Sequence, residues 1–358
     1  MNPLHQRRCG ILLHISSLPS FDSCFDFIDL LKKSGQSYWQ ILPQNPVMDE
    51  GSPYKCYSAF AGDIRYIGKV KADFKYADFE RDNRYWLTDY ALFVALKRQF
   101  DNLPWYEWDK DIAFRDEKAV KHYKNIYRSE INDEKAKQFD FYTSWKAVMD
   151  YAEKNEIRII GDMPLYVAHD SADVWSRPKY FFLDKEGYPT KVSGVPPDYF
   201  STEGQLWGNP VYNWDTIKKD KYRWWIERIK RQNSLSHIIR IDHFRGLESY
   251  WEIDAGEMSA KKGKWVKAPG EELLKEIVKS DIPIIVEDLG IITPEVIALK
   301  NRFSLPGMKV LQFDRDIDEQ NLVVYTGTHD NDTLLGFYKN LKDEDCKKAQ
   351  NILSEMDV

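Results

Sequence analysis

HIIRIDHF, residues 237–244, is apolar through its first half and then turns abruptly charged. Side chains alternate sides along a strand, so a sheet wetted on one face alternates apolar with polar residues. A run apolar on both faces instead marks a parallel strand buried on both sides. Six other runs share this character: GILLHI (10–15), YWQILP (38–43), IRIIGDMPLYV (157–167), IPIIVEDLG (282–290), MKVLQF (308–313) and NLVVYTGTHD (321–330). Helical stretches separate most of them. FDFIDLLKKSG (25–35) stops at Gly35, and TPEVIALKNRF (293–303) starts with Thr293 as N-cap and Pro294 in the first turn. KYRWWIERIKRQ (221–232) is amphipathic. Strand and helix in alternation predict an α/β fold around a parallel sheet.

Two segments break the rhythm. Residues 52–156 read as a helical insertion between strands 2 and 3, with helices over 86–100 and 141–155. Residues 168–215, rich in Pro, Gly and aromatics, read as a long substrate-covering loop between strands 3 and 4. The expectation is one catalytic domain over 1–358.

Several of these strands end in acids or other charged residues: Asp162 after RIIG, Arg240 and Asp242 after HII, Glu287 and Asp288 after IPIIV, and His329 and Asp330 after VVYTGT. Barrel active sites are built at such C-terminal strand ends. Breaking a glycosidic bond takes a carboxylic acid to protonate the leaving oxygen and a carboxylate to meet the charge on the sugar carbon. Asp242 and Glu287 lie on consecutive strands, which suits a retaining pair. Arg240 precedes Asp242 by two residues and so shares its side of the strand, where its charge keeps Asp242 ionised. Glu287 needs a less polar setting to hold a proton. By alternation His243 faces the other side and reads as packed.

Composition narrows the partners. The net charge is -6, with no long basic run, which argues against nucleic acid. No stretch of about 18 apolar residues predicts a membrane span. The four cysteines (Cys9, Cys24, Cys56, Cys346) are scattered without metal-ligand spacing, so a cytoplasmic setting without a metal is expected. The 12 Trp and 21 Tyr stand out because flat rings pack against sugars, but composition alone favours their filling a large core.

RIDHFRGLESYW (240–251), IIVEDLGIITPEV (284–296) and YTGTHDNDT (325–333) resemble the amylomaltase, or 4-α-glucanotransferase, family (glycoside hydrolase family 77) of the α-amylase clan. RRCGILLHISSLP (7–19), SPYKCYSAFAGD (52–63), GDMPLYVAHDSADVW (161–175), GVPPDYFSTEGQLWGNPVYNWD (194–215) and LPGMKVLQF (305–313) match in the same order. The resemblance implies a (β/α)8-type TIM barrel with insertions. It implies Asp242 as nucleophile, Glu287 as general acid/base and Asp330 as the third carboxylate. Tyr54, Asp162, Arg240 and His329 are implied around the sugar beside the cleaved bond, and Trp207 in a loop over the acceptor side. No cofactor is implied. The partners are maltooligosaccharides and other α-1,4-glucans of starch and maltodextrin metabolism, and the reaction is retaining transfer of a glucan segment to a 4-hydroxyl. The alternatives are an α-glucan hydrolase on the same residues, or a glucan-binding protein without activity. Two departures stand out. The stretch between 63 and 86 is shorter than usual, and no candidate for an eighth strand follows residue 330, so the expectation is a barrel lacking that strand in this chain. DTLLGFYKN (332–340) and DEDCKKAQNILSEM (343–356) both read as helical, and Asp332 reads as a helix cap.

Overall fold

The computed structural model describes residues 4, 7–197, 201–313 and 321–341. In chain order its strands are β1 Gly10–Leu12, β2 Tyr38–Gln40, β3 Arg158–Met163, β4 Lys191–Val195, β5 Gln205–Pro210, β6 Ile238–Ile241, β7 Ser249–Asp254, β8 Lys264–Lys267, β9 Ile284–Val286, β10 Gly307–Val310 and β11 Leu322–Tyr325. All seven expected parallel strands are present, each shorter than its apolar run. The runs overshoot because their remaining residues leave the hydrogen-bonded ladder and line the loops above it. The fold is α/β, of the TIM-barrel type. Residues 343–356 lie outside the described residues.

The parallel strands form a five-stranded sheet, β1-β2-β3-β6-β9, and a pair, β10-β11. The Val286 amide donates to the Pro306 carbonyl and carries β9 over to β10. The sheet bends back on itself. Ile160, Ile238, Ile285 and Met308, from four strands, form one buried cluster, joined by Tyr38 of β2 and by Val323 and Tyr325 of β11. The Tyr325 hydroxyl donates to Gln40 Oε1 of β2 at 2.6 Å.

Alternation then explains where the polar residues lie. Ile160 and Asp162 share one face of β3, as do Ile238, Arg240 and Asp242 along β6, and Ile285 and Glu287 along β9. Each strand is apolar inside at its base and charged inside at its C-terminal end. The opposite faces, Ile159 of β3 and Ile239, Ile241, Ile284 and Val286 of β6 and β9, pack outward against helices.

The helices at Ser23–Lys33, Arg223–Asn233 and Pro294–Arg302 flank the sheet, and Gly35 takes a φ of +72° just past the first. The region between β2 and β3 holds the helices Tyr76–Asn83, Leu87–Gln99, Lys110–Ala113, Glu117–Ile126 and Arg128–Lys154. The helix Leu334–Asn340 follows β11 and is capped by Thr333, whose hydroxyl accepts the Gly336 amide. Asp332 instead accepts the Thr333 amide, one residue too early for the cap it was expected to supply.

The stretch that reads as a loop, 168–215, is largely ordered structure. It contains the helix Ala172–Ser176, β4 and β5, and its two strands join β7 and β8 in an antiparallel sheet, β5-β4-β7-β8. β7 and β8 carry no apolar run of the kind that marks a barrel strand, and β7 joins β4 only across a long sequence gap. Cys9, Cys24 and Cys56 are free thiols.

Candidate active site

Parallel register sets Asp162 of β3 beside Arg240 of β6, and Arg240 beside Ile285 of β9. Arg240 Nη1 donates to Asp162 Oδ1 at 2.6 Å and to Asp242 Oδ1 at 2.9 Å. The Arg240 and Asp162 side chains are 4% and 0% exposed, while Asp242 is 28% exposed. One guanidinium therefore ties a buried carboxylate to a second that opens into the cavity. Burial drives the Asp162 carboxyl above its usual range, against the pull of Arg240.

Tyr54 closes this floor. Its hydroxyl donates to Asp162 Oδ2 at 2.6 Å and meets His329 Nε2 at 2.7 Å. A phenol has one proton, and here it goes to Asp162, so the imidazole donates in the second contact and carries its proton on Nε2. The two rings stack at 5.5 Å and 17°. Burial, then the Asp162 charge, pushes the Tyr54 hydroxyl far up, so it remains a donor.

Glu287 follows β9. Its carboxyl accepts the His243 amide on Oε2 and the Leu289 amide on Oε1, both at 2.8 Å. These bonds favour the charged form, as does Arg240. Burial, followed by the nearby Asp242 charge, outweighs them and raises the group to about 7. Asp288, its neighbour, points away and is held by Lys300 Nζ at 2.8 Å and the Met308 amide at 2.7 Å. It is a structural residue.

Asp330 stands at the rim. Its carboxyl lies 3.2 Å from His329 Nε2 and is 73% exposed. His243 departs from the alternation argument. Its φ of +52° turns the chain out of the strand, and the ring reaches the cavity wall instead of packing behind the sheet. There it meets the edge of Trp207 at 4.7 Å, with Nε2 buried and without a hydrogen-bond partner among the described residues. Trp207 lies on β5, so the expected loop position is a strand position. The Lys97–Asp170 ion pair at 2.7 Å and the His169 Nε2 contact with the Gly187 carbonyl at 2.8 Å hold those residues in the scaffold.

Tyr54, Trp207, Arg240, Asp242, Glu287 and Asp330 all line one cavity of about 730 Å³, and Asp162 and His329 support it through Tyr54. Three other residues here were not singled out from the sequence. Lys55 lines the wall beside Tyr54. His14 sits past the end of β1, where burial lowers it to about 4. Trp265 lies on β8. His14 ends the GILLH run with a polar residue, the same signal that marked the other strand ends. Among the described residues no cluster of His, Cys, Asp and Glu could hold a metal ion.

The arrangement pairs a guanidinium-bound carboxylate with a buried, proton-holding one in a sugar-sized cleft, as glycosyl transfer through two carboxyl groups requires. The family model for 4-alpha-glucanotransferase matches residues 13–71 and 68–357. The two matched segments overlap at 68–71, inside the stretch between 63 and 86 that reads as shortened in the sequence. The chain is 42% identical to the 4-alpha-glucanotransferase of Thermus thermophilus, over 93% of this chain and 80% of the relative. It is 41% identical to that of Synechocystis, over 98% and 84%. Among solved structures, an amylomaltase from Streptococcus agalactiae in complex with acarbose superposes with a TM-score of 0.90 at 34% identity, over 97% of this chain and 84% of that one. By sequence and by fold, the chain belongs to the 4-alpha-glucanotransferase family.

Proposed function

We propose that the chain transfers segments of α-1,4-glucans by a double displacement in which Asp242 attacks and Glu287 moves the proton. Asp242 Oδ2 forms a bond to the anomeric carbon while Glu287 gives its proton to the departing glycosidic oxygen. The configuration inverts. An acceptor 4-hydroxyl then loses its proton to Glu287 and attacks the same carbon, Asp242 leaves, and a second inversion restores the α link. Asp162, Arg240, Tyr54 and His329 hold the bound sugar and the attacking carboxylate. Asp330 takes sugar hydroxyls from the rim. Trp207 on β5 walls the acceptor side and limits water there.

The observation that carries this reading is the contrast within one cleft. Asp242 is charge-paired to Arg240, while Glu287 has no ion pair among the described residues and is raised to about 7 by burial. Such a contrast separates the attacking group from the acid. Incubation with maltotriose tests it. A ladder of longer sugars is expected, and Asp242→Asn should abolish it. Glucose and maltose alone would mean hydrolysis, and product formation unchanged in Asp242→Asn would remove the nucleophile assignment. Free Cys9, Cys24 and Cys56 support a reducing, cytoplasmic setting, and the net charge of -6 disfavours nucleic acid. No helix among the described residues is long and apolar enough to cross a membrane.

A further inference from the structure

No regular structure holds the chain between Val286, where β9 ends, and Pro294, where the next helix begins. Glu287 stands in this stretch. Its main chain is fixed on the β6 side, where its amide donates to the Ile241 carbonyl and its carbonyl accepts the Phe244 amide. On the other side the ladder between β9 and β10 is interrupted, and the Asp288 carboxylate bridges the gap. Oδ1 accepts the Met308 amide of β10 at 2.7 Å, and Oδ2 accepts from Lys300 Nζ of the flanking helix at 2.8 Å. Gly307 closes the third side. A Cβ there would lie 2.5 Å from Oδ2 and 2.8 Å from Nζ, so a larger residue would push the pair out of place.

The Asp288 and Lys300 side chains are 10% and 4% exposed. Burying two charges is expensive, and an apolar pair of similar size would serve packing as well or better. The pair calls for a reason beyond stability, and the next residue supplies one. The Leu289 amide turns back onto Glu287 Oε1 at 2.8 Å. Asp288 is the residue between that donor and its acceptor, so anchoring its side chain fixes the peptide that carries the amide. Asp288 does not line the cavity. Its anchor reaches the chemistry through the Leu289 amide, one of the groups that set the acidity of Glu287.

We infer that the Asp288–Lys300 pair is a positioning element for Glu287, holding the turn 287–289 so that the carboxyl stays aimed at the glycosidic oxygen. This rests on the transfer reading given above. Two donors separate such a role from plain support of the fold. Maltotriose needs a proton on its departing sugar, whereas α-maltosyl fluoride loses a fluoride ion that needs none. Asp288→Asn keeps an acceptor for the Met308 amide, and Asp288→Asn with Lys300→Met removes both charges together, so each covers for the other if one fails to fold. In both, kcat for maltotriose should fall about tenfold, part of what a general acid contributes, with KM within about twofold. The single-turnover burst of fluoride from α-maltosyl fluoride should stay within about twofold of native. The basic limb of kcat/KM for maltotriose should move to higher pH, because the Leu289 amide favours the charged carboxyl and its loss lets Glu287 keep its proton longer. Equal losses with both donors, an unchanged kcat for maltotriose, or a basic limb left at its native pH overturns the inference. Failure of the transfer reading is separate: Glu287→Gln would then process maltotriose as fast as the native chain.

Discussion

A carboxyl that donates a proton near neutral pH must hold it against water, and Glu287 does so through burial despite two backbone amides aimed at its oxygens. Holding the proton has a cost that can be measured. The unfolded group releases its proton near 4.5 and the folded one near 7. Between those values the folded state binds a proton that the unfolded chain has lost, so stability falls as pH rises through this window. The loss amounts to about 3 kcal/mol once pH exceeds 7. Glu287→Gln removes the titration. Its stability relative to the native chain should improve from pH 4 to pH 8 in urea melts, whatever constant offset the lost amide bond adds. A difference independent of pH would show that Glu287 ionises normally. Turnover should fall about 10²–10⁴-fold in the same variant, and native kcat/KM should decline above pH 7 as the acid is lost. Arg240 makes the companion case. Arg240→Met strands the fully buried Asp162 without a counter-charge, and an orphaned buried charge costs about 3–5 kcal/mol. A melting temperature close to native would mean that Asp162 is already protonated in the native chain.

The central barrel strands β3, β6 and β9 were legible because each buries both faces and reads as an apolar run, and the flanking helices because their ends carry the right residues, Gly35 and Pro294 among them. The site was legible at the same places, since Asp162, Asp242 and Glu287 end those runs. The antiparallel sheet β5-β4-β7-β8 was not. β5 and β8 are largely exposed, β8 is only Lys264–Lys267, and β4 finds β7 across some fifty residues of sequence. Nothing local in such a segment distinguishes a strand from a loop. His243 misled for a related reason, since alternation holds only while the chain stays in the strand. The sheet is the wall that carries Trp207 and Trp265, so its packing should govern transfer. Gly194 is where this is most exposed to test. A Cβ there would lie 2.3 Å from the Gln205 carbonyl oxygen of β5. Gly194→Val must push β5 away from β4, at a cost of about 1–3 kcal/mol by analogy with overpacked cores. The expected result is a lower melting temperature and a larger share of free glucose and maltose among products, because water enters where β5 withdraws. An unchanged product ladder would mean that β5 does not shield the acceptor side.

For the whole molecule, seven parallel strands have to bring their C-terminal ends to one cavity, and a flat sheet would leave β2 and β11 far apart. The hydrogen-bonded ladder is interrupted between β9 and β10, so continuous pairing does not hold the last two strands in place. The interior cluster does so together with polar contacts: Val286 to Pro306, Met308 to Asp288, and Tyr325 to Gln40. Ile160, Ile238, Ile285 and Met308 meet Tyr325 of β11 beneath the charged floor, and the Tyr325 hydroxyl reaches Gln40 of β2. No sequence pattern announces a bond between positions 285 residues apart, although both belong to runs that read as strands. Among the described residues Gln40 Nε2 has no hydrogen-bond partner, so the side chain depends on the bond that Oε1 accepts from Tyr325. Tyr325→Phe keeps the ring in the apolar cluster and deletes only this bond. It leaves Gln40 Oε1 buried and unsatisfied, which costs about 1–3 kcal/mol. Because β11 leads directly into His329 and Asp330, loosening it should also raise the KM for maltotriose more than it lowers kcat, as the rim carboxylate loses its fixed position over the sugar. Urea denaturation and transfer kinetics on the one variant read both effects. Native stability with native KM would show that the apolar cluster and the pairing with β10 suffice to hold β11, and that the Tyr325–Gln40 bond contributes nothing to the site.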